Sequence, residues 1–346
     1  MAQQINILMT GGGAPGAAGI INCLKQEPGF NIITGDINPD AVGKFLTADF
    51  VKLPVASDPG FATTVREICI KKKIQVVMPL VTKELLPFAK EMDRFNEAGI
   101  KLLVSPFSSL EIANDKSRLY QFLEWRDIPV PAYRVVQTVP QFEEAVKDLG
   151  YPAKPVCFKP SVSNGSRGFR VIDERVDELD LLFNFKPVST YIGFDQAKRI
   201  LSSGIFPELL VSEFLPGDEF SVDCLADHGE AVLVVPRLRK RMISGISVEG
   251  EFTRDENMIA YCRDIIRELK LHGNIGIQVK RSAAGKFLIL EINPRVQGTI
   301  SAALGAGINL PVLAVKQELG LQIRKEELEV KWGTRFVRYW NEVFYS

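Results

Sequence analysis

The strongest constraint on the fold is an alternation of short apolar runs and helical patterns across residues 5–104. The apolar runs predict buried strands at Ile5–Met9, Ile32–Ile33, Val76–Met78 and Lys101–Val104. Helical patterns lie between these runs, around residues 16–26, 60–72 and 83–97. Strands that are separated by helices imply βαβ units, and therefore a parallel sheet.

The pattern changes after Ser105. Residues 106–150 predict helices, and hairpins dominate from residue 154 onward, for example around the turn Asp227-His228-Gly229. Antiparallel hairpins interleaved with helices indicate an α+β region. We therefore predict an α/β parallel-sheet domain followed by an α+β domain, with the boundary near residues 105–115.

Composition excludes several classes of protein. The 42 basic residues balance the 42 acidic residues, so the basic excess of a nucleic-acid binder is missing. Residues 1–20 lack the features of a signal peptide, and no apolar stretch approaches a membrane span. Five scattered cysteines fit reduced thiols. The only histidines, His228 and His272, are each interpreted as a surface or packing residue. We predict a cytoplasmic protein that binds neither nucleic acid nor membrane.

A glycine-rich turn follows the first predicted strand. Within Gly11-Gly12-Gly13-Ala14-Pro15-Gly16, three glycines satisfy G-x-G-x-x-G, and Asp36 stands where a ribose-binding acid would lie. Such glycines allow the start of a helix to approach an anion. Pro15 stiffens the turn, so three interpretations stay open: a tight strand-to-helix connection, a site for an acidic co-substrate, or a nicotinamide-nucleotide site.

The sharpest chemical signal is the segment Leu288–Arg295. Period-2 alternation places Glu291 and Asn293 on one face of a strand, and two adjacent oxygen ligands suit a hard cation such as magnesium. Gln278 lies across the predicted hairpin from this face. Arg295 follows the end of the strand, where a planar cation can meet phosphoryl oxygens.

Three upstream segments complete a pattern typical of phosphate chemistry. Lys116 opens a helix, and Lys159 ends an apolar strand, where a half-buried cation needs an anionic partner. The flexible residues 161–168 follow, and their backbone N–H groups can close over phosphates. In residues 210–219 a strand enters a Pro-Gly turn whose exposed backbone suits a purine edge, and Glu219 suits ribose hydroxyls.

In these segments the sequence resembles the ATP-grasp superfamily, and within it a single ATP-grasp unit of the carbamoyl-phosphate synthetase large subunit. The resemblance covers residues 1–320 and is most specific in Glu291–Ser301, Asn114–Lys116 and Glu213–Gly217. It implies a pre-ATP-grasp Rossmann-like domain and two α+β subdomains that clamp ATP. The predicted boundaries are 1–110, then 111–320 (lid about 120–212, larger subdomain about 213–320), then a C-terminal extension at 321–346.

The resemblance also implies roles for individual residues. Those that contact the nucleotide are Lys116, Lys159, Ser163, Gly165, Ser166, Gly168, Glu213, Phe214, Leu215 and Glu219. Those that bind Mg²⁺ or Mn²⁺ are Gln278, Glu291 and Asn293. Lys159 and Arg295 act in catalysis.

The implied reaction is an ATP-dependent ligation. A small carboxylate is phosphorylated to an acyl phosphate, and an amine then displaces the phosphate. The candidate contacts for these small-molecule partners are Gly12, Gly13, Glu84, Arg237, Arg241 and Ser247. The basic segment from Arg237 to Arg241 is interpreted as either a mobile substrate loop or a solvated loop.

Two other functions stay open, and so does the oligomeric state. One alternative is a non-catalytic nucleotide-binding subunit or a partial carbamoyl-phosphate-synthetase-like subunit, since the chain has room for one unit where those large subunits carry two. The other is an NAD-dependent oxidoreductase. A homodimer is common among similar proteins.

Overall fold

The computed structural model describes residues 4–163, 165, 167–184, 190–243 and 245–345. The chain divides into two compact units, each built from separate stretches of sequence. Unit 1 contains Met1–Asn114, Glu219–Val279 and Glu291–Ser346. Unit 2 contains Asp115–Asp218 and Lys280–Leu290. The domain boundaries expected near residues 110 and 320 stay predictions.

The N-terminal part of unit 1 is a parallel sheet with helices between its strands. Its elements are β1 (Ile5–Thr10), α1 (Ala17–Leu24), β2 (Phe30–Asp36), α2 (Gly43–Leu46), β3 (Asp49–Lys52), α3 (Phe61–Lys71), β4 (Val76–Pro79), α4 (Thr82–Lys90), α5 (Met92–Glu97), β5 (Lys101–Leu102) and α6 (Phe107–Ala113). The strand order is β3-β2-β1-β4-β5, and its four pairings are all parallel. The predicted βαβ units are confirmed. The sequence did not predict the short edge strand β3, none of whose residues is fully buried.

Both faces of this sheet are buried, as the continuous apolar run in β1 predicts. Ile7 and Met9 pack into one core with the α1 residues Ile20 and Leu24. Leu8, which points to the other face, packs into a second core that is built largely from α3 to α6. This burial holds the carboxyl ends of β1 and β2, from which the glycine turn and Asp36 project.

Unit 2 has an antiparallel sheet flanked by helices. Its elements are α7 (Lys116–Trp125), β6 (Tyr133–Val136), α8 (Val139–Asp148), β7 (Val156–Pro160), β8 (Arg170–Ile172), α9 (Glu178–Asn184), α10 (Phe194–Leu201) and β9 (Leu209–Glu213). The strand order is β6-β9-β7-β8. Asp115 caps α7, because its carboxylate accepts hydrogen bonds from the backbone N–H groups of Ser117 and Arg118. This cap places Lys116 on the first turn of α7.

The rest of the chain forms a six-stranded sheet with order β14-β13-β10-β11-β12-β15. Its elements are β10 (Glu219–Asp227), β11 (Glu230–Ile243), β12 (Ile246–Phe252), α11 (Glu256–Glu268), β13 (Gly273–Arg281), β14 (Phe287–Asn293), a 3-10 helix (Ile300–Leu304), α12 (Leu310–Glu318), a second 3-10 helix (Lys325–Leu328) and β15 (Arg335–Val337). The predicted hairpin turn at residues 227–229 is confirmed, since Asp227 pairs with Glu230. An α/β parallel-sheet region followed by an α+β region is therefore the observed fold class.

Two further expectations concern the thiols and the membrane. All five cysteines are buried and unpaired, which agrees with reduced thiols. Among the helices that the structure describes, none is both long and apolar enough to cross a membrane. The cytoplasmic location stays a prediction.

Candidate active site

The strand β14 presents the two predicted metal ligands side by side in unit 1. Asn293 Nδ2 lies 3.4 Å from Glu291 Oε1, so the amide and the carboxylate are adjacent on one strand face. Both are half-buried, whereas Ile292 between them is buried on the opposite face. Gln278, also half-buried, lies on the neighbouring strand β13. The period of two found in the sequence therefore puts two oxygen-bearing side chains on one surface.

Arg295 follows β14 and is held in unit 1 by two hydrogen bonds. Its Nε donates to Thr82 Oγ1 at 3.1 Å, and its Nη1 donates to the Val296 carbonyl at 2.7 Å. Burial lowers the pKa of Arg295, and the carboxylates of Glu291 and Glu84 oppose this effect. A guanidinium stays protonated despite such a shift. The result is a fixed, poorly hydrated positive charge beside two carboxyl groups.

The surroundings of Glu84, on α4, shift the pKa of its carboxyl group. Its side chain is buried, and one carboxyl oxygen accepts a hydrogen bond from the Thr10 hydroxyl. Burial raises the pKa of Glu84 to about 7; the Asp36 carboxylate adds to the rise, while the Thr10 hydrogen bond and the Arg295 charge oppose it. Buried carboxyl groups that titrate near neutrality cluster at functional sites.

The glycine turn is tied to Asp36 and to the chain after β14. Asp36 Oδ2 accepts a hydrogen bond from the Gly13 backbone N–H at 2.7 Å. A Cβ atom on Gly16 would lie 2.2 Å from the Gly298 Cα atom. Gly16 therefore permits a close approach of two backbones within unit 1, and Asp36 stabilises the turn. The tight strand-to-helix connection is one role that these glycines do fill.

Arg239 is a candidate site residue that sequence reasoning missed. Its side chain is 4% exposed and forms an ion pair with the Glu219 carboxylate. Its Nε also donates to Ser247 Oγ at 3.1 Å, which accounts for the buried Ser247. Burial lowers the pKa of Arg239, and Glu219 and Glu291 oppose this effect. The spacing of two residues between Arg237 and Arg239 is the sequence signal that could have placed Arg239 in a strand.

Arg237 is fully buried and forms an ion pair with a buried acid. Its Nε lies 3.2 Å from Asp223 Oδ2, and both side chains are 0% exposed. Gln297 Nε2 donates to Asp223 Oδ1 at 2.8 Å, and the Arg237 guanidinium lies 5.6 Å from the centre of the Phe336 ring. Burial raises the pKa of Asp223, and Arg237 opposes the rise. The structure therefore gives Arg237 a position inside the protein, away from solvent.

The basic segment is not the loop that the sequence predicted. It lies within β11, which runs to Ile243 and pairs with β12. The prediction of a loop was wrong because acidic residues on the neighbouring strands pair with these basic side chains. The segment can therefore lie within a sheet. Arg241 lies 3.6 Å from Glu249 on β12, and more than half of its side chain is exposed. Arg241 is thus separated from the buried pairs of Arg237 and Arg239.

The two predicted phosphate lysines are both ordered within unit 2. Lys116 is buried, and its Nζ donates to the Ser163 carbonyl at 2.8 Å. Lys159 Nζ donates to the Leu290 carbonyl at 2.8 Å and lies 5.9 Å from the centre of the Tyr120 ring. Neutral carbonyl oxygens and an aromatic face thus fix the two ammonium groups in position.

The predicted phosphate loop and adenine hinge also belong to unit 2. Ser163 is half-buried, and Gly165 and Gly168 are exposed with φ angles of 66° and 79°, in the left-handed region that favours glycine. The predicted contact Ser166 lies outside the described residues. In the hinge, Glu213 Oε1 accepts from the Ala132 N–H at 2.9 Å, Leu215 is buried, and Lys280 Nζ lies 4.8 Å from the centre of the Phe214 ring.

Family models match two separate stretches of the chain. Residues 205–340 match a family described as "ATP-grasp in the biosynthetic pathway with Ter operon". Residues 7–103 match a family described as "PylC-like, N-terminal domain". The structure of an N5-carboxyaminoimidazole ribonucleotide synthetase in its ADP complex is similar over 97% of this chain and 81% of its own, with a TM-score of 0.72 and 17% identity.

The chain has the ATP-grasp fold. The L-amino acid ligase of Bacillus licheniformis shares this fold, with a TM-score of 0.67, 16% identity, and coverage of 95% of this chain and 78% of its own. The carbamoyl phosphate synthase large chain of Clostridium acetobutylicum is 24% identical over 313 residues, which are 87% of this chain. This chain spans about a quarter (27%) of that relative's length.

The resemblance to an ATP-grasp unit expected from the sequence is therefore confirmed. The expected ligase class agrees with the names of the similar synthetase and the similar L-amino acid ligase. Within the ATP-grasp fold, unit 1 brings together Glu84, Glu219, Glu291, Asn293 and Arg295 with the unpredicted Arg239. Unit 2 carries the lysines, the glycine loop and the hinge.

Proposed function

We propose that this ATP-grasp protein is a Mg-ATP-dependent ligase that phosphorylates a small carboxylate and joins it to an amine, releasing ADP and phosphate. One observation carries the proposal: Glu291 and Asn293 lie side by side on β14, and the half-buried Arg295 follows two residues later. Phosphoryl transfer is mainly positioning and charge neutralisation, so carboxylates for a metal and fixed cations are the required parts.

The donor set on β14 fits Mg²⁺ or Mn²⁺. Glu291 offers carboxylate oxygens, Asn293 an amide oxygen, and Gln278 on β13 a second amide oxygen; hard divalent cations prefer such oxygen ligands. A bound divalent cation supplies positive charge that neutralises phosphate oxygens. The adjacent Arg295 and Arg239 guanidinium groups add charge that does not depend on the metal.

Residues of unit 2 provide the proposed nucleotide contacts. Lys116 and Lys159 would hold phosphate oxygens, since their ammonium groups are fixed by carbonyl oxygens. The loop with Ser163, Gly165 and Gly168 would donate backbone N–H groups. Glu213, Phe214 and Leu215 would meet the adenine. In unit 1, Glu219 would contact the ribose.

The proposed chemistry has two steps. A carboxylate oxygen of the substrate attacks the γ-phosphorus of ATP, the bond to the β-phosphate oxygen breaks, and ADP leaves with that electron pair. The amine nitrogen then attacks the acyl carbon, inorganic phosphate leaves, and the nitrogen loses a proton. Arg295 would stabilise the charge of the phosphoryl group and the acyl phosphate. Lys159 would neutralise phosphate charge during the transfer.

The acidic co-substrate interpretation of the glycine turn belongs to this proposal. Gly12 and Gly13 lie at the carboxyl end of β1, and Glu84 meets Thr10 at the same end. We propose that these residues, with Ser247 holding Arg239, contact or position the small substrates. Contacts from Arg237 and Arg241 stay predictions, and so does a homodimer.

The test is a screen for ADP release over panels of carboxylates and amines, with products identified by mass spectrometry. We expect the double variant Glu291→Gln/Asn293→Asp to lose ATP turnover while its unfolding temperature stays close to that of the wild type. The matched control, Glu249→Gln, removes a surface carboxylate of the same sheet and should keep full turnover. Unchanged ADP release in the double variant would refute the proposal.

The same assays separate the alternatives. A non-catalytic or partial subunit would bind Mg-ATP without releasing ADP for any pair of substrates. An oxidoreductase would be stabilised in a thermal-shift assay by NADH alone, because a ligand that binds only the native state raises its stability. We expect stabilisation by Mg-ATP and ADP release with at least one carboxylate.

A further inference from the structure

The chain's only two histidines meet in unit 1, at the end of the β10–β11 hairpin. The rings of His228 and His272 have centroids 4.0 Å apart, and Asp227 lies beside both. Asp227 Oδ1 is 2.7 Å from His228 Nδ1 and 3.5 Å from His272 Nδ1. One ligand atom from each of the three residues lies within 4.8 Å of the others. The sequence predicted two separate surface or packing residues, so the fold alone creates this cluster.

The protonation pattern of His272 leaves one of its nitrogens suited to a metal. Its Nε2 lies 2.7 Å from Glu318 Oε2 on α12, and its Nδ1 accepts a hydrogen bond from the His228 backbone N–H at 3.3 Å. The carboxylate therefore holds the proton on Nε2, and the lone pair of Nδ1 accepts the long hydrogen bond from the His228 N–H. A metal ion bound to Nδ1 would replace this hydrogen bond. Histidine ligands of metals commonly donate their other N–H to a carboxylate in this way, which fixes the ring and raises its basicity.

The backbone holds the other two ligands in place. His228 and Gly229 form a two-residue turn with φ angles of 45° and 98°, the positive values that such hairpin turns require. The Gly229 N–H donates to the Leu271 carbonyl at 2.8 Å, so the turn is attached to the segment that carries His272. His272 is 5% exposed, whereas His228 and Asp227 are exposed to solvent. An ion can thus reach the cluster from outside without a change of fold.

We propose that Asp227, His228 and His272 form a binding site for a borderline divalent transition-metal ion such as Zn²⁺. The ligand atoms would be one Asp227 oxygen and the Nδ1 atoms of both histidines, and a water molecule would complete a tetrahedron. Zinc bonds of about 2.0–2.1 Å place tetrahedral ligands about 3.3 Å apart, a value between the two measured distances. Imidazole ligands favour zinc, copper or nickel over magnesium.

The metal site would connect three segments of unit 1. Asp227 and His228 belong to the β10–β11 hairpin, His272 precedes β13, and Glu318 ends α12. The hairpin also carries Glu219 at the start of β10 and Arg239 on β11. The metal would therefore stabilise the far end of the hairpin that supports the candidate active site. This role is independent of the proposed ligase reaction.

The test is a Zn²⁺ titration by calorimetry of the full chain without a polyhistidine tag, with Mg²⁺ titrated in parallel. We expect one Zn²⁺ per chain and a higher unfolding temperature with Zn²⁺. The variant His228→Asn removes the imidazole but keeps a residue type that tolerates positive φ, and it should lose this binding. Glu318→Gln keeps all three ligands and should weaken affinity by about 10- to 100-fold. The control Glu230→Gln, next to the turn, should bind like the wild type.

A second measurement uses only the wild type, so it tests the proposal even if His228→Asn folds poorly. X-ray absorption of the wild-type Zn²⁺ complex should show two imidazole nitrogens in the first coordination shell. A shell of oxygen atoms alone would overturn the proposal, as would equal Zn²⁺ affinity in the wild type and in His228→Asn. No Zn²⁺ binding by the wild type would also overturn it and would show that the cluster is only a hydrogen-bonded clamp between hairpin and helix.

Discussion

Glu84 should contribute measurably to the change in the free energy of unfolding with pH. Burial and the nearby Asp36 carboxylate raise the pKa of Glu84 from 4.5 to about 7 in the folded chain, against the opposing effects of Thr10 and Arg295. Between these two values the folded state binds more protons than the unfolded state. The stabilisation is therefore fully present below about pH 4.5 and is lost as the pH rises through about 7.

The size of the effect follows from the shift. One pKa unit corresponds to about 1.4 kcal/mol, so a rise from 4.5 to about 7 corresponds to roughly 3 kcal/mol. Between about pH 5 and about pH 8 the wild type should lose roughly 2 to 3 kcal/mol of unfolding free energy through this group. The side chain is 5% exposed, so solvent screening reduces this value little.

The variant Glu84→Gln isolates this contribution. Glutamine has nearly the same shape, can still pair with the Thr10 hydroxyl and does not titrate. Urea unfolding of both proteins at about pH 5 and about pH 8 should show the variant gaining roughly 2 to 3 kcal/mol relative to the wild type at the higher pH. Asp40→Asn, which removes an exposed carboxylate, is the control and should follow the wild type. The reasoning would be refuted if the free energies of unfolding of the wild type and of Glu84→Gln differed by the same amount at both pH values.

Two further predictions concern packing in unit 1. Gly16→Ala places a Cβ atom 2.2 Å from Gly298 Cα, so we expect a loss of about 1–3 kcal/mol in urea unfolding, whereas Gly193→Ala, which meets nothing within 4 Å, should be nearly neutral. Equal stability of both variants would contradict the close backbone approach. Asp223→Leu leaves the Arg237 charge buried without its carboxylate and should lower the free energy of unfolding by about 3–5 kcal/mol. The double variant with Arg237→Met should recover part of that loss. Purely additive effects of the two substitutions would argue against the ion pair.

Much of the candidate site follows from local periodicity in the sequence. Alternation in β14 predicts that Glu291 and Asn293 share a face, and the hydrogen bond between them agrees. The Asp-Lys pair at residues 115–116 predicts a capped helix start, and Asp115 does cap α7. These features depend on neighbours within a few residues, where backbone geometry alone determines the direction of a side chain.

Pairings between distant strands could not be predicted in the same way. The segment from Arg237 to Arg241 has the charge of a solvated loop, yet Asp223, Glu219 and Glu249 on adjacent strands provide an ionic partner for each of its arginines. A basic side chain is compatible with a buried strand only when such a partner exists. The register that supplies the partner depends on contacts far apart in sequence.

The sequence by itself determined the parallel sheet, the ATP-grasp resemblance and the two ligands on β14, because apolar periodicity and contiguous motifs encode them locally. Only the tertiary structure decided that Glu84 would titrate near neutrality, that Arg239 would join Glu219, and that the two histidines would meet beside Asp227. Each of these depends on burial or on a distance between segments that the chain brings together only on folding.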